Sequence, residues 1–582
     1  MTISGLPGRS AKNSPSAEPG YCAAMVMLAG YPFDLGEHTR TITTESKDAQ
    51  AWFDLGLNWL YAFHNEEAVA CFNRAIEADP LCAMAHWGLA HAVGPYYNGP
   101  WIRLVDPMRS EILVTAFAAS RKAAELAPQA TPVEQALTGA LVARFGAERN
   151  DDQDVFDSWD DAYADAMRAV YERFPDDLDV AALAVEALIV RTPWRLWHLP
   201  TGIPADGAST EEAVEIIERC FTDHAEAIRR HPGLLHFWIH IMEMSPTPER
   251  ALEIAPVLQR LCPDAAHLVH MASHIQVLCG QYEEALIANI EAVVADDKYL
   301  EYRPGVSVYT VYRLHNIHFQ MYSAMFLGNY ERALAAADLI RETVTEEALH
   351  TDNPLVFRYL EAFYGMKVHV LIRFGRWDDL KAMAFPDEPE SYPSTLALCH
   401  YGKGVACAAT GDVAAAEEHQ HLFAEACAHV PEDHLVFNNQ TRDVLRIGEA
   451  MLAGEREYRR GNIDEAFDHL RRSVDLDDNL FYTEPWAWMQ PPRHALGALL
   501  LEQGRIDEAA AVYAADLGLD ETLVRSSRHP GNVWALHGYA ECLDALGRSD
   551  EAESVRAELA VAKRHMDVPL ESSCFCRGAA GG

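Results

Sequence analysis

WFDLGLNWLYAFHNEEAVACFNRAIEADP, residues Trp52–Pro80, is the stretch of this 582-residue chain whose reading decides the fold. Its apolar residues recur every three or four positions, the period of helices with one buried face. The small residues Gly56 and Ala68 let two helices approach closely. Trp52, Leu55, Trp59 and Phe72 are large enough to fill the space between that pair and the next. Ala75 keeps the second helix close to its partner. Pro80 stops that helix, because it lacks an N–H and its ring clashes with the preceding turn. The stretch therefore predicts two antiparallel helices joined by a short turn.

Working outward, the interhelix turn recurs as Gly-x-hydrophobic-x-x-Ala. It stands at Gly280–Ala285, Gly328–Ala333, Gly411–Ala416, Gly461–Ala466, Gly504–Ala509 and Gly547–Ala552. Gly375-Arg-Trp377 carries Leu380 in place of the alanine, and Pro246-Thr-Pro248-Glu-Arg-Ala251 is a degenerate copy. Glycine suits a left-handed helix end, and alanine suits close packing. The turns are mostly spaced by roughly 43–50 residues, against the usual 34 of a tetratricopeptide repeat. The expected architecture is an all-α solenoid of tetratricopeptide-repeat (TPR) type, a right-handed superhelix of antiparallel helix pairs with long helices or insertions. Three insertions are rich in Pro, Gly and aromatics: Gly94–Pro107, Arg191–Gly207 and Leu480–Pro492. They read as connecting loops or as lids over a groove. Residues 1–30 read as a flexible tail, 31–566 as the solenoid without an internal boundary, and 567–582 as a C-terminal tail.

Composition narrows the partners. Acidic residues outnumber basic ones, 87 to 47, for a formal charge of −40. Nucleic acid needs neutralising Lys and Arg, so neither it nor an anionic membrane surface is an expected partner. No stretch reaches the roughly 18 apolar residues of a membrane span. The short apolar run Cys22–Ala29 follows too long a polar stretch for a secretory leader. It fits a tail, or a start at Met25 or Met27. The 12 cysteines lie mostly in apolar helical text, as Cys71, Cys82, Cys279 and Cys407 do, which points to reduced thiols and a cytoplasmic location. P-loop, nucleophile-elbow, H-E-x-x-H and four-cysteine zinc patterns are absent. Gly402-Lys-Gly404 lacks the strand and third glycine of a dinucleotide site.

The 26 histidines carry the chemical signal. With each turn glycine, or Pro246 of the degenerate turn, counted as repeat position 15, positions 2, 5, 9 and 12 of the first helix face the concave side. His236, His240 and Glu243 then fall at 5, 9 and 12. His267, His270 and His274 fall at 2, 5 and 9 of the next repeat, and His315, His318 and Tyr322 at 2, 5 and 9 of the one after. Elsewhere His91, His369, His494, His537 and Glu541 take inner positions. The pairs His236/His240 and His270/His274 sit one helical turn apart, a chelating geometry. Imidazole with carboxylate suits a transition metal ion (Zn, Fe, Cu or Mn) rather than Ca or Mg. Cys574 and Cys576 form a further soft-metal or redox pair if the tail reaches the groove.

His267-Leu-Val-His270-Met-Ala-Ser-His274-Ile and His315-Asn-Ile-His318-Phe resemble text in a group of large bacterial TPR proteins. They are distantly similar to the tetratricopeptide repeat protein 38 family. Tyr31-Pro-Phe-Asp34-Leu-Gly36, the Trp52–Pro80 block, Cys82-Ala-Met-Ala-His86-Trp-Gly and Ser-Cys574-Phe-Cys576 resemble the bacterial group too. The chain departs from it at Phe63-His64-Asn65, where the group reads Phe-Asn-His. The resemblance implies an all-helical TPR fold and no particular reaction. Two functions are therefore expected. One is a groove that binds a small molecule or a peptide or protein partner, with a His/Glu-rich metal site. The other is a metal-dependent enzyme, an oxidoreductase or hydrolase, acting on a small molecule.

Overall fold

The Trp52–Pro80 stretch forms two antiparallel helices, α1 (Lys47–Tyr61) and α2 (Asn65–Ala78), in a computed structural model that describes residues 30–351 and 354–577. Residues 1–29 of the expected tail, with the Cys22–Ala29 run, lie outside the described residues. Ser46 caps α1 by accepting the Ala49 N–H at 3.2 Å. The close approach read from the sequence is physical. A Cβ added at Gly56 would sit 2.8 Å from the Phe72 ring, and one at Gly88 only 2.3 Å from it. One aromatic ring is thus wedged against both neighbouring helices.

The array continues as α3 (Ala83–Val93), α4 (Met108–Leu126), α5 (Pro132–Arg144), α6 (Gln153–Arg173), α7 (Leu178–Ile189), α8 (Thr210–Asp223), α9 (Ala225–Ile228), α10 (Pro232–Met242), α11 (Ala255–Leu261), α12 (Ala266–Leu278), α13 (Tyr282–Tyr302) and α14 (Val308–Phe326). It goes on through α15 (Tyr330–Thr343), α16 (Glu346–Leu349), α17 (Pro354–Tyr364), α18 (Lys367–Arg373), α19 (Trp377–Ala382), α20 (Pro393–Ala409), α21 (Val413–His429), α22 (Thr441–Arg460), α23 (Ile463–Asp478), α24 (Pro492–Glu502), α25 (Ile506–Leu517), α26 (Val533–Ala545) and α27 (Ser549–Ala562). Sequential helices pack on one another, and alternate helices such as α10 and α12, or α12 and α14, also touch. That is the pattern of stacked helix pairs. Gly280, Gly328, Gly375, Gly411, Gly461, Gly504 and Gly547 all have positive φ, as the turn motif requires. The degenerate turn at Pro246 gives a 3₁₀ turn, Pro248–Ala251, before the short α11. Among the described residues, β structure is limited to an isolated bridge between Tyr96 and Gly99 and two antiparallel pairs of two-residue strands: β1 (Trp197–His198) with β2 (Ile203–Pro204), and β3 (Leu435–Val436) with β4 (Asn439–Gln440).

The solenoid curls onto itself. Its apolar core falls into two large clusters that meet around α13 and α14. The Trp534 indole N–H donates to the Met325 carbonyl at 2.7 Å, and Arg525 pairs with Glu249. The extended segment before α1 clamps the N-terminal half. The Tyr31 hydroxyl donates to Glu67 at 3.1 Å, and Asp34 accepts the Asp264 N–H at 3.1 Å. Gly36 is required there, because a Cβ would lie 2.0 Å from the Leu261 oxygen.

The three insertions interlock, together with the β3–β4 hairpin. Arg103 donates to Asn438, Asn438 donates to the Tyr482 carbonyl at 2.8 Å, and the Tyr97 hydroxyl accepts the Trp194 N–H at 3.1 Å. The Tyr482 hydroxyl donates to the Glu243 carbonyl at 3.2 Å. Each of the three contributes residues to the wall of one cavity: Tyr96 and Arg103 from the first, Trp194 from the second and Glu484 from the third. The C-terminal segment is non-helical from Met566 and folds back along the second half. Asp567 accepts two N–H groups at the start of α15, the Ser573 hydroxyl meets that of Tyr513, and Cys576 is buried.

Candidate metal centre beside a cavity

Three stacked helices, α10, α12 and α14, bring six histidines together. Ring centroids run 4.7 Å between His236 and His240, 4.9 Å between His236 and His267, and 5.8 Å between His267 and His270. The line continues with 4.7 Å between His270 and His274 and 4.5 Å between His270 and His315. All are buried except His315, which is half-buried. They divide into two sets of three. The nitrogens of His236, His240 and His267 lie within 4.8 Å of one another, and so do those of His270, His274 and His315. Glu243, His274 and Glu484 make an overlapping set on the same limit.

Neighbours orient the rings from behind. His236 Nδ1 lies 2.7 Å from the Tyr61 carbonyl oxygen, so its proton sits on Nδ1 and Nε2 keeps a lone pair. Tyr61 is itself fixed by donating its hydroxyl to Asp179 at 2.7 Å. Asp179 also meets His38, His231 and Arg40, which saturates that carboxylate and makes the His38–Asp179–His231 group a structural hub. Asn289 donates its amide to the Ala285 carbonyl, so its oxygen faces His270 Nδ1 at 2.7 Å. Glu243 spans the two sets, with one oxygen 3.0 Å from His240 Nδ1 and the other 2.5 Å from His274 Nδ1. His270 Nε2 and His274 Nε2 face each other at 2.8 Å.

Burial controls the charge. Desolvation pushes His240 down to about 3 and His270 to about 4, and holds His236, His267, His274 and His315 well below the usual imidazole value. The neighbouring imidazoles push the last four further down. Burial raises Glu243 and Glu484 well above the carboxylate range, and for Glu484 the adjacent Glu243 adds to the rise. The cluster is therefore one of neutral, lone-pair-bearing imidazoles. His236 Nε2, His240 Nε2, both nitrogens of His267, His315 Nδ1 and one oxygen of Glu484 are buried without a hydrogen-bond partner among the described residues. Each such atom costs about 1–3 kcal/mol when left unsatisfied.

The cluster opens on a cavity of about 550 Å³. His240, His267, His274, His315 and Glu484 line one wall. The insertions supply Tyr96, Asn98, Arg103 and Trp194, and the hairpin supplies Phe437 and Asn438. Phe63, Tyr309 and Tyr312 add aromatic surface, and Val69, Met108, Ile112 and Val311 form a half-exposed apolar mouth.

Of the residues expected on the inner face, His236, His240, Glu243, His267, His270, His274 and His315 converge here. His318 lies just outside both sets, packed edge-on against Phe363 at 5.2 Å. The others lie elsewhere. His91 is held by the buried Arg144–Glu186 pair, and His369 packs edge-on against Trp488 at 4.6 Å. His494 binds Asp516 at 2.9 Å and Arg373 at 2.8 Å. Tyr322 stacks on Phe326 in the second core cluster, so it is core rather than ligand surface. His537 lies 3.6 Å from Glu541, which pairs with Arg577 of the C-terminal segment. Cys574 and Cys576 are joined to each other and pack in the second core cluster, away from the cavity. Sequence reading missed Glu484, Arg103, Tyr97 and His64. His64 lines the cavity and stacks on Tyr309 with centroids 3.9 Å apart.

Residues 500–564, spanning the end of α24 through α27, match a family model described as tetratricopeptide repeat. No curated protein matches the chain. Among solved structures, the Cut9–Hcn1 hetero-tetramer of the APC/C is 13% identical, with 86% of this chain and 78% of that one covered and a TM-score of 0.30. An IFIT1 monomeric mutant with Gppp-AAAA is 10% identical, with 89% and 96% covered and a TM-score of 0.33. Yeast Tom70 is 13% identical, with 89% and 97% covered and a TM-score of 0.25. Likeness at these scores bears on neither ligand nor partner. By its repeat motif and its stacked helix pairs, the chain is an all-α solenoid of tetratricopeptide-repeat type.

Proposed function

We propose that this TPR solenoid holds a transition-metal centre on the two three-histidine sets, and that the centre acts on a small molecule in the adjoining cavity. The observation that carries the reading is the orientation of the rings. His236, His240 and His270 have Nδ1 engaged from behind and Nε2 directed into the cluster. That is how a metal-binding histidine is normally held. All-imidazole donor sets with a nearby carboxylate suit Zn, Cu or Fe. Three protein ligands leave a coordination position for water or substrate, the arrangement of catalytic sites rather than closed structural ones. Such an ion would supply Lewis acidity, or redox chemistry if it is Cu or Fe.

The cavity favours a small molecule over a peptide, since the insertions roof the concave side where an open peptide groove would run. The test is elemental analysis of the purified protein beside His240→Ala and His274→Ala variants. One to two equivalents of a transition metal in the wild type, and a clear loss in both variants, support the reading. Absence of metal from all three, with no uptake of Zn, Cu, Fe or Mn on reconstitution, overturns it.

A further inference from the structure

Arg103 is out of place for a chain so acidic. It lines the cavity, yet no Asp or Glu lies within ion-pair distance of it among the described residues. The fully buried Arg144, which donates to the Pro95 carbonyl, is by contrast neutralised by Glu186. Arg103 is held by neutral groups only. Its guanidinium stacks over Trp194 at 4.0 Å, one end donates to Asn438, and the other reaches the Asn98 carbonyl at 3.5 Å. These partners come from the interlocked insertions and the hairpin, and Tyr359 of α17 lies further off, its ring centroid 6.0 Å from the guanidinium. A planar guanidinium held against an indole face, with its charge left uncompensated, is a ready receptor for a carboxylate. The opposite requirement comes from the rest of the wall. Val69, Met108, Ile112 and Val311 at the mouth, with the aromatic rings beside them, need an apolar body.

We propose that the cavity binds a small organic acid, with its carboxylate on Arg103 and its apolar body along the mouth. Arg103 belongs to the same roof as Tyr97, whose ring lies 4.7 Å from that of His240. An acid anchored at Arg103 is therefore held beside the histidine cluster. Which part of the ligand reacts rests on the metal-centre reading; the anchoring does not.

The experiment is titration calorimetry with two matched pairs, decanoate against decanamide and 3-phenylpropionate against its primary amide. It is run on the protein as purified and after treatment with EDTA. At least one acid is expected to bind tenfold or more tightly than its amide, with or without metal. Arg103→Gln should bring that acid to the affinity of its amide while leaving metal content unchanged, and Arg103→Lys should recover part of the preference. Equal binding of acid and amide, or no binding of either acid at millimolar concentration, overturns the assignment. So does an acid preference that survives Arg103→Gln. If that surviving preference disappears with EDTA, the carboxylate binds the metal and only the anchor is refuted. If the protein holds no metal yet Arg103 still selects acids, the anchor stands and the metal reading falls.

Discussion

Replacing Glu243 by Gln isolates the metal centre from the fold, because the two states of the cluster need different proton positions. His270 carries its proton on Nδ1, fixed by Asn289. Without a metal, the 2.8 Å contact between the two Nε2 atoms needs one proton, so His274 holds its proton on Nε2. Burial raises the pKa of Glu243, and in its protonated form it donates to His274 Nδ1 and accepts from His240 Nδ1. A glutamine reproduces both bonds with its amide N–H and carbonyl. The metal-free variant should therefore unfold within about 1 kcal/mol of wild type, since no buried group loses a partner. With a metal, His274 must offer Nε2, its proton must move to Nδ1, and residue 243 must accept from both rings. Glutamine has one acceptor and cannot do so. Loss of an orienting partner typically weakens metal affinity about 10–100-fold, or roughly 1.4–2.7 kcal/mol. Competition against a chromophoric chelator, with calorimetric melting of the metal-free forms, reads both quantities. Equal metal affinity in Glu243→Gln and wild type would refute the argument. A large loss of metal-free stability would show that Glu243 is ionised in the unloaded protein.

Other outcomes follow from the same contacts. His64 and His369 are both lowered to about 3 by burial, so the unfolded chain binds protons on them first. Their stabilising effect is complete above the unfolded value near 6.5 and declines below it until about 3, by about 1.4 kcal/mol per pH unit for each; in equilibrium denaturation between pH 7 and pH 4.5, Gln at both positions should make the slope shallower than that of the wild type, while the remaining buried histidines keep part of it. Gly88→Ala should cost about 1–3 kcal/mol, because the added methyl meets the Phe72 ring at 2.3 Å; a neutral change in urea denaturation would show that the ring has room to move. Glu186→Gln strands the fully buried Arg144, which also donates to the Pro95 carbonyl at the root of the first insertion. It should destabilise by about 3 kcal/mol and raise amide exchange across 94–107, and an unchanged exchange pattern would disconnect that pair from the lid.

The repeat was legible in Trp52–Pro80 because its packing is local: Gly56 and Phe72 are on adjacent helices, and their sizes suffice to predict the contact. The histidine sets were legible for a similar reason. His236/His240 and His270/His274 are one helical turn apart, and adjacent repeats stack in register, so counting from the turn glycine placed them together. The same count failed at His91 and His494. Their partners Glu186 and Asp516 are ionic neighbours that repeat numbering does not encode. It failed at Tyr322 because an aromatic on the inner helix face can turn toward Phe326 and the core. Glu484, Arg103 and Tyr97 were out of reach because insertions have no period. Their positions depend on contacts such as Arg103 with Asn438, between segments far apart in sequence. The useful signal was composition: the three Pro-, Gly- and aromatic-rich stretches that broke the repeat are the ones that roof the cavity.

The most direct test of the central claim is a cobalt(II) titration of metal-stripped protein, followed by its visible absorption. Imidazole ligation at a three-histidine set predicts saturable ligand-field bands at one to two equivalents. His240→Ala together with His274→Ala should abolish the bands while the helical circular dichroism stays intact. A featureless hexa-aquo cobalt spectrum at every ratio in the folded wild type would contradict a metal centre on these histidines.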